Sequence, residues 1–199
     1  MAIRLPDGQW NLRDEPRVAP ADRRRLERLS CVVLWLIRRR TTKGRNDFNV
    51  FLTLARLGKL FPAHSIFLSQ VLGKTRLSTA EKELIVLRVA WRLGCAYEWS
   101  HHRHMADNAE VAPHVIAAAT TEDLRGLSPR QSALLWATDE LIAQHKLTES
   151  GWAAALEQLN ADEALELSLF VGHYVMIAMV INTAGVQLEP GFDVVCSSG

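Results

Sequence analysis

With 199 residues, 48% hydrophobic and 23% charged, the chain is long enough for one domain with a sizeable core and has an ordinary folded-protein composition. A formal net charge of +1 gives no overall electrostatic attraction toward nucleic acid or a membrane. Three widely spaced cysteines, Cys31, Cys95 and Cys196, make no disulfide framework, and MAIRLPDGQW at the start lacks the pattern of a secretory signal, so a reducing cytoplasm is expected.

Charge is uneven along the chain. Residues 1–45 hold 12 Lys/Arg against 5 Asp/Glu, and the rest hold 11 against 17. The cations cluster as Arg23, Arg24, Arg25 and Arg28, then Arg38, Arg39, Arg40, Lys43 and Arg45, around CVVLWLI at 31–37, which is too short to cross a bilayer. Residues 1–45 are expected to be a basic N-terminal extension, helical and docked through Leu34, Trp35 and Ile37 with a solvated cationic face. An anionic partner surface is the competing reading of the same cluster.

From residue 46 to 199 the pattern is helical. FNVFLTLARLG at 48–58 and LFPAHSIFLSQVLG at 60–73 read as amphipathic helices closed by Gly58 and Gly73, with His64 as a partly buried core histidine. Ser78 with Glu81 has the form of a capping box, so a core helix should begin near Thr79 and end before Gly94; a second follows from about Ala96 to Asn108. A short helix from Pro113, one from Ser128-Pro129 to about His145, one over 148–159 and a long one over 162–185 complete the series. The last has an uncharged, mostly apolar stretch of 15 residues, Leu167 to Ile181, between Glu166 and Asn182, read as short of a membrane span and suited to a buried helix or an oligomer interface. No Asn-Gly or Asp-Gly hairpin signal lies between alternating apolar residues, and the predicted fold is all-α.

The chemistry concentrates in the two central helices, where Glu83, Cys95, Glu98 and His102 recur with eleven, two and three residues between them. On the second helix Cys95, Glu98 and His102 fall within an arc of roughly 60°. A thiol at a helix N-terminus is expected to lean toward thiolate, and Glu98 and His102, four apart, to share a proton. Of His101, His102 and His104, at least two are expected at the surface. Glu98-x-x-His101 has half of the form used by di-iron bundles, but Glu110 and His114 with Pro113 between them do not supply the other half, so no metal is expected.

This motif, set in ELIVLRVAWRLGCAYEWSHH, resembles the signature of the carboxymuconolactone decarboxylase and alkylhydroperoxidase D superfamily, and HYVMIAMVINTAGV at 173–186 resembles the tail helix of its longer members. The resemblance implies a helical bundle with a central antiparallel helix pair, a homo-oligomer (dimer, trimer or hexamer), a small-molecule substrate and no cofactor. Where the peroxidase branch has a second cysteine this chain has Glu98, so a Cys-x-x-Cys disulfide cycle within the motif is impossible. Three functions follow as expectations. The first is decarboxylase-like proton transfer by Glu83, Glu98 and His102 on a small carboxylic acid, lactone or carbonyl compound, with Tyr97 as a donor, Arg88 or Arg103 holding a carboxylate and His173 lining the pocket. The second is peroxide reduction by Cys95 as a lone redox thiol. The third is a non-catalytic helical oligomer that binds a partner.

Overall fold

Caps decide where the helices of the computed structural model begin, and glycines where several of them stop. The structure describes residues 2–41, 46–190 and 192–196. The main helices are α1 (Arg28–Thr41), α2 (Asn49–Ala55), α3 (Leu60–Gly73), α4 (Thr79–Arg92), α5 (Ala96–Asn108), α6 (Pro113–Ala118), α7 (Pro129–Gln144), α8 (Glu149–Leu156) and α9 (Ala161–Ala184). Reciprocal capping boxes open three of them, Ser78 with Glu81 on α4, Ser128 with Gln131 on α7 and Asn160 with Glu163 on α9, each satisfying two otherwise unpaired backbone donors. α9 ends at Gly185, in left-handed conformation.

α4 is the hub. Leu84, Ile85, Val86, Leu87, Val89 and Ala90 are buried on it, and it packs against α5, α7 and α9. α4 and α5 form a helical hairpin around Gly94, whose φ of 61° favours glycine. A Cβ at Gly94 would also run into the carbonyl oxygen of Gln9, because the N-terminal segment lies across this turn and Asn11 N–H donates to Gly94 O at 2.8 Å.

The fold is all-α, as expected, with one addition. β1 (Ala2–Leu5) pairs in parallel with β2 (Asp193–Cys196) as a two-stranded ribbon that joins the ends of the chain. A hairpin search could not find it, because the partners are four-residue segments at opposite termini and a parallel pair has no tight turn.

The N-terminal segment is docked. Beyond Asn11, Arg17 and Val18 N–H donate to Ala184 O, Ala21 N–H to Leu52 O, and the Trp10 ring lies 5.7 Å from that of Trp99. On α1, Leu34 is buried and Ile37 partly so, but Trp35 points outward, with Leu29, Val32 and Leu36 also exposed. The outer face of α1 is thus apolar as well as basic, and the expected docking through Trp35 is corrected, since that ring lies on the outer face. Lys43, Arg45 and the side chain of Arg40 lie outside the described residues.

α9 is long and apolar enough to cross a membrane by length and composition, yet half of its most apolar stretch is buried within the fold. Leu167, Phe170, Val171, Tyr174, Ala178 and Ile181 face the core, while Leu165, Leu169, Met176 and Met179 are exposed.

Candidate active site

The α4–α5 hairpin, backed by α2, α3 and α9, encloses a cavity of about 190 Å³. Glu83 from α4, Tyr97, Glu98, His101, His102 and Met105 from α5, His173 and Tyr174 from α9, and His64 from α3 line it, with Phe48, Phe51, Leu54 and Ile177 among the apolar walls. Among the described residues, no Lys or Arg lines it.

Two titratable units face this space. In the first, His102 Nδ1 lies 2.7 Å from Glu83 Oε2. A carboxylate there accepts from the ring N–H, which fixes the tautomer and leaves Nε2 with the free lone pair. The second is Glu98, 3% exposed, with neither carboxyl oxygen hydrogen-bonded to a described residue. Burial pushes its pKa up from the ordinary 4.5 to about 8, against a smaller opposing influence from the Cys95 thiol. One carboxyl is therefore held neutral near an oriented imidazole–carboxylate pair. Tyr174 stands edge-on to His102, ring centroids 5.3 Å apart. Burial, then the Glu83 and Glu98 charges, push its phenol well above the ordinary value, so it is a neutral hydroxyl.

Several expectations need correction. Glu98 and His102 do not share a proton, because His102 turns to Glu83 on the neighbouring helix. Cys95 is not a poised thiolate: it is fully buried, does not line the cavity, and burial followed by the Glu98 charge pushes its thiol well above the ordinary value. Desolvation of the buried thiol outweighs the helix-dipole effect here. His101 is buried, while His102 and His104 are only partly exposed, so the triplet does not place two histidines freely in solvent.

Arg88 and Arg103 are not positioned to hold a substrate carboxylate. Arg88 is fully buried away from the cavity and its guanidinium is already used. Its Nε and Nη2 grip Asp139 at 2.8 and 2.6 Å, and Nη1 donates to the carbonyls of Ala118, Ala119 and Thr121. Arg92 grips the same Asp139 and also Glu122, making a structural ion-pair cluster between α4 and α7. Arg103 pairs with Asp107 one turn along α5, also outside the cavity.

Tyr97 lines the cavity with its ring, but its hydroxyl donates to Glu189 Oε1 at 2.6 Å. Glu189, which the sequence reading did not single out, also takes His101 Nε2 at 2.8 Å on Oε2 and the backbone N–H of Asn49 at 2.5 Å on Oε1. The chain beyond α9 thereby caps α2 and fixes two aromatic walls of the cavity. Burial opposes the charge of Glu189, but the His101, Tyr97 and Asn49 hydrogen bonds prevail and lower its pKa. Its only local signal is a carboxylate in an aperiodic QLEP segment. His64, expected as a core histidine, lines the cavity and stacks on His173. Among the described residues no group of three or more His, Cys, Asp and Glu is arranged to hold a metal ion.

The helical fold is similar to that of alkylhydroperoxidase D-like proteins. Residues 60–140 match the model of the carboxymuconolactone decarboxylase family. The structure of an alkylhydroperoxidase AhpD core, an uncharacterized peroxidase-related protein from Ralstonia eutropha JMP134, is similar with a TM-score of 0.77 at 21% identity, covering 88% of this chain and 93% of that one. A peroxidase-related protein from Silicibacter sp. TM1040 gives 0.74 at 17% identity over 94% and 95%. The debrominase Bmp8 gives 0.70 at 17% over 87% and 92%. No curated protein matches the sequence. The partial family match and these neighbours support a related enzymatic or peroxidase-like function without selecting a reaction.

Proposed function

We propose that this protein is a carboxymuconolactone decarboxylase-like acid–base enzyme acting on a small, uncharged ring compound with a carbonyl group, such as a lactone. The observation that carries the reading is Glu98, a buried carboxyl held neutral to about pH 8 beside the Glu83–His102 pair in one apolar cavity. In this mechanism His102, oriented by Glu83, takes at Nε2 the proton on the carbon next to the carbonyl, while Glu98 donates its proton to the carbonyl oxygen. The C–H electron pair becomes the C=C bond of an enol. Return of a proton to carbon from His102, with Glu98 regaining its own from oxygen, completes an isomerisation with no change in oxidation level.

The absence of Lys and Arg from the described lining favours an uncharged ligand over the carboxylic acid expected from Arg88 and Arg103. A cavity of about 190 Å³ suits a single ring, and a cysteine-to-alanine variant of Bmp8 holds 2,3,4-tribromopyrrole on this fold. Lone-thiol peroxide reduction has less support, since Cys95 is buried and stays protonated. Self-association belongs to the same proposal and is supported by exposed apolar side chains on α1, α3 and α9, among them Leu36, Leu60, Ile66, Leu165 and Met179.

The test is NMR-monitored isomerisation of α-angelica lactone and related unsaturated lactones in deuterated water. The wild-type protein should accelerate deuterium uptake and double-bond migration, and Glu98→Gln and His102→Asn should each lose most of that acceleration. Full acceleration in Glu98→Gln would overturn the assignment.

A further inference from the structure

Beyond the proton-transfer groups, the cavity holds a second polar feature that the mechanism does not use. His64 and His173 stack face to face, centroids 5.3 Å apart and planes inclined by 16°. Both line the cavity, and His173 is only 4% exposed. Among the described residues no group satisfies either nitrogen of His64 or Nδ1 of His173, although all three atoms are buried. Buried polar atoms are normally paired, and leaving one unmatched costs roughly 1–3 kcal/mol, so this arrangement asks for a partner from the ligand.

The chemistry of that partner is narrow. Burial lowers the pKa of both rings, His173 to about 4 with a further contribution from His64, so both are neutral near pH 7 and each offers one donor and one acceptor. Neutral imidazoles give no charge attraction for an anion. Imidazole lone pairs lie in the ring plane, and two nearly parallel stacked planes are poorly placed to converge on one metal ion. An uncharged hydroxyl or carbonyl, which can donate to or accept from adjacent nitrogens, fits. Tyr174 contacts His102 and His173 edge-on, each at 5.3 Å, and so separates the histidine pair from the proton-transfer end.

We propose that His64 and His173 form a neutral polar subsite that binds an uncharged hydroxyl or carbonyl group on the far side of a small ring ligand from its reacting carbonyl. This rests on the proton-transfer reading for the orientation of the ligand, but the subsite can be measured by binding alone. The probes are cyclohexanone, 4-hydroxycyclohexanone and 4-oxocyclohexanecarboxylate, titrated by NMR into the full-length protein at pH 7. The hydroxyl-bearing ring should bind about tenfold more tightly than cyclohexanone, the worth of one satisfied buried hydrogen bond, and the carboxylate should gain nothing. The ratio of the two neutral affinities should fall to about one in His173→Phe and, independently, in His64→Leu, while Glu98→Gln should retain the preference. A hydroxyl that gives no gain in the wild-type protein, or a preference that survives both histidine substitutions, overturns the subsite. Zinc-dependent thermal stabilisation lost in His173→Phe would overturn it in favour of a metal site. Loss of lactone isomerisation with the hydroxyl preference intact, or the reverse, separates failure of one reading from failure of the other.

Discussion

Replacing Glu98 with glutamine should change how stability depends on pH more than it changes stability at any one pH. The carboxyl's pKa rises from 4.5 to about 8 on folding. Between those values the folded state keeps a proton that the unfolded state has lost, so this group's contribution is fully present below pH 4.5 and declines as pH rises through about 8. Converted to free energy, the wild-type protein should lose about 3 kcal/mol between pH 5 and pH 8 through Glu98 alone. His173, lowered to about 4, has the opposite effect, adding stability as pH rises from about 4 to 6.5. The informative quantity is therefore the difference between wild type and variant, since everything except position 98 is common to both. Urea unfolding followed by tryptophan fluorescence at pH 5, 6, 7 and 8, at fixed protein concentration, measures it. The introduced glutamine imposes a pH-independent cost for its own unpaired amide, which shifts the variant's curve without tilting it. The difference should tilt by about 3 kcal/mol across the range; parallel curves would refute the claim that burial holds Glu98 neutral.

Further outcomes follow from other parts of the structure. In the native protein Cys95 should resist iodoacetamide at pH 8 while the partly exposed Cys31 reacts, read by peptide mass spectrometry; equal rates would contradict the burial of the thiol. Glu189→Gln weakens the hydrogen bonds to His101, Tyr97 and the α2 N-terminus and should cost about 1–3 kcal/mol at pH 7 in urea unfolding. Because folding lowers the pKa of Glu189, that loss should shrink as pH falls below 4.5 and through the folded-state value. Arg88→Ala leaves Asp139 and three carbonyls without their buried partner and should cost about 3–5 kcal/mol, whereas a change under about 1 kcal/mol would show that the cluster is not structural. Light scattering should give a mass that is a multiple of the 22.3 kDa chain, and Leu165→Glu with Met179→Glu should lower it.

Much of the fold was legible because its signals are local. The Ser78–Glu81 cap, Gly94 and Ser128-Pro129 set helix boundaries with only their neighbours, and the structure places α4 and α7 within about a residue of where those signals put them. The site was legible where spacing maps onto one helix face, which brought Glu98 and His102 to the cavity with Glu83 opposite. What the spacing could not give was the choice of partner. An i, i+4 pair permits a Glu98–His102 bond, but the carboxylate of Glu83 across the hairpin takes the imidazole, leaving Glu98 neutral and unpaired. Depth was equally hidden: the N-terminal position of Cys95 on α5 argued for thiolate, and only its full burial in the core shows that desolvation wins. Glu189 lies 92 residues beyond the tyrosine it binds, in a segment without periodicity, so nothing local marked it.

Proton transfer in this cavity requires that Glu98 be an acid that keeps its proton at neutral pH, and this can be observed without a substrate. Carbon-13 NMR of the Glu98 side-chain carboxyl, labelled at Cδ and assigned by its disappearance in Glu98→Gln, reports its ionisation directly across pH 4 to 9. The titration midpoint should lie near 8. A midpoint near the ordinary 4.5 would contradict the mechanism, leaving a charged Glu98 and no neutral acid to serve the Glu83–His102 pair.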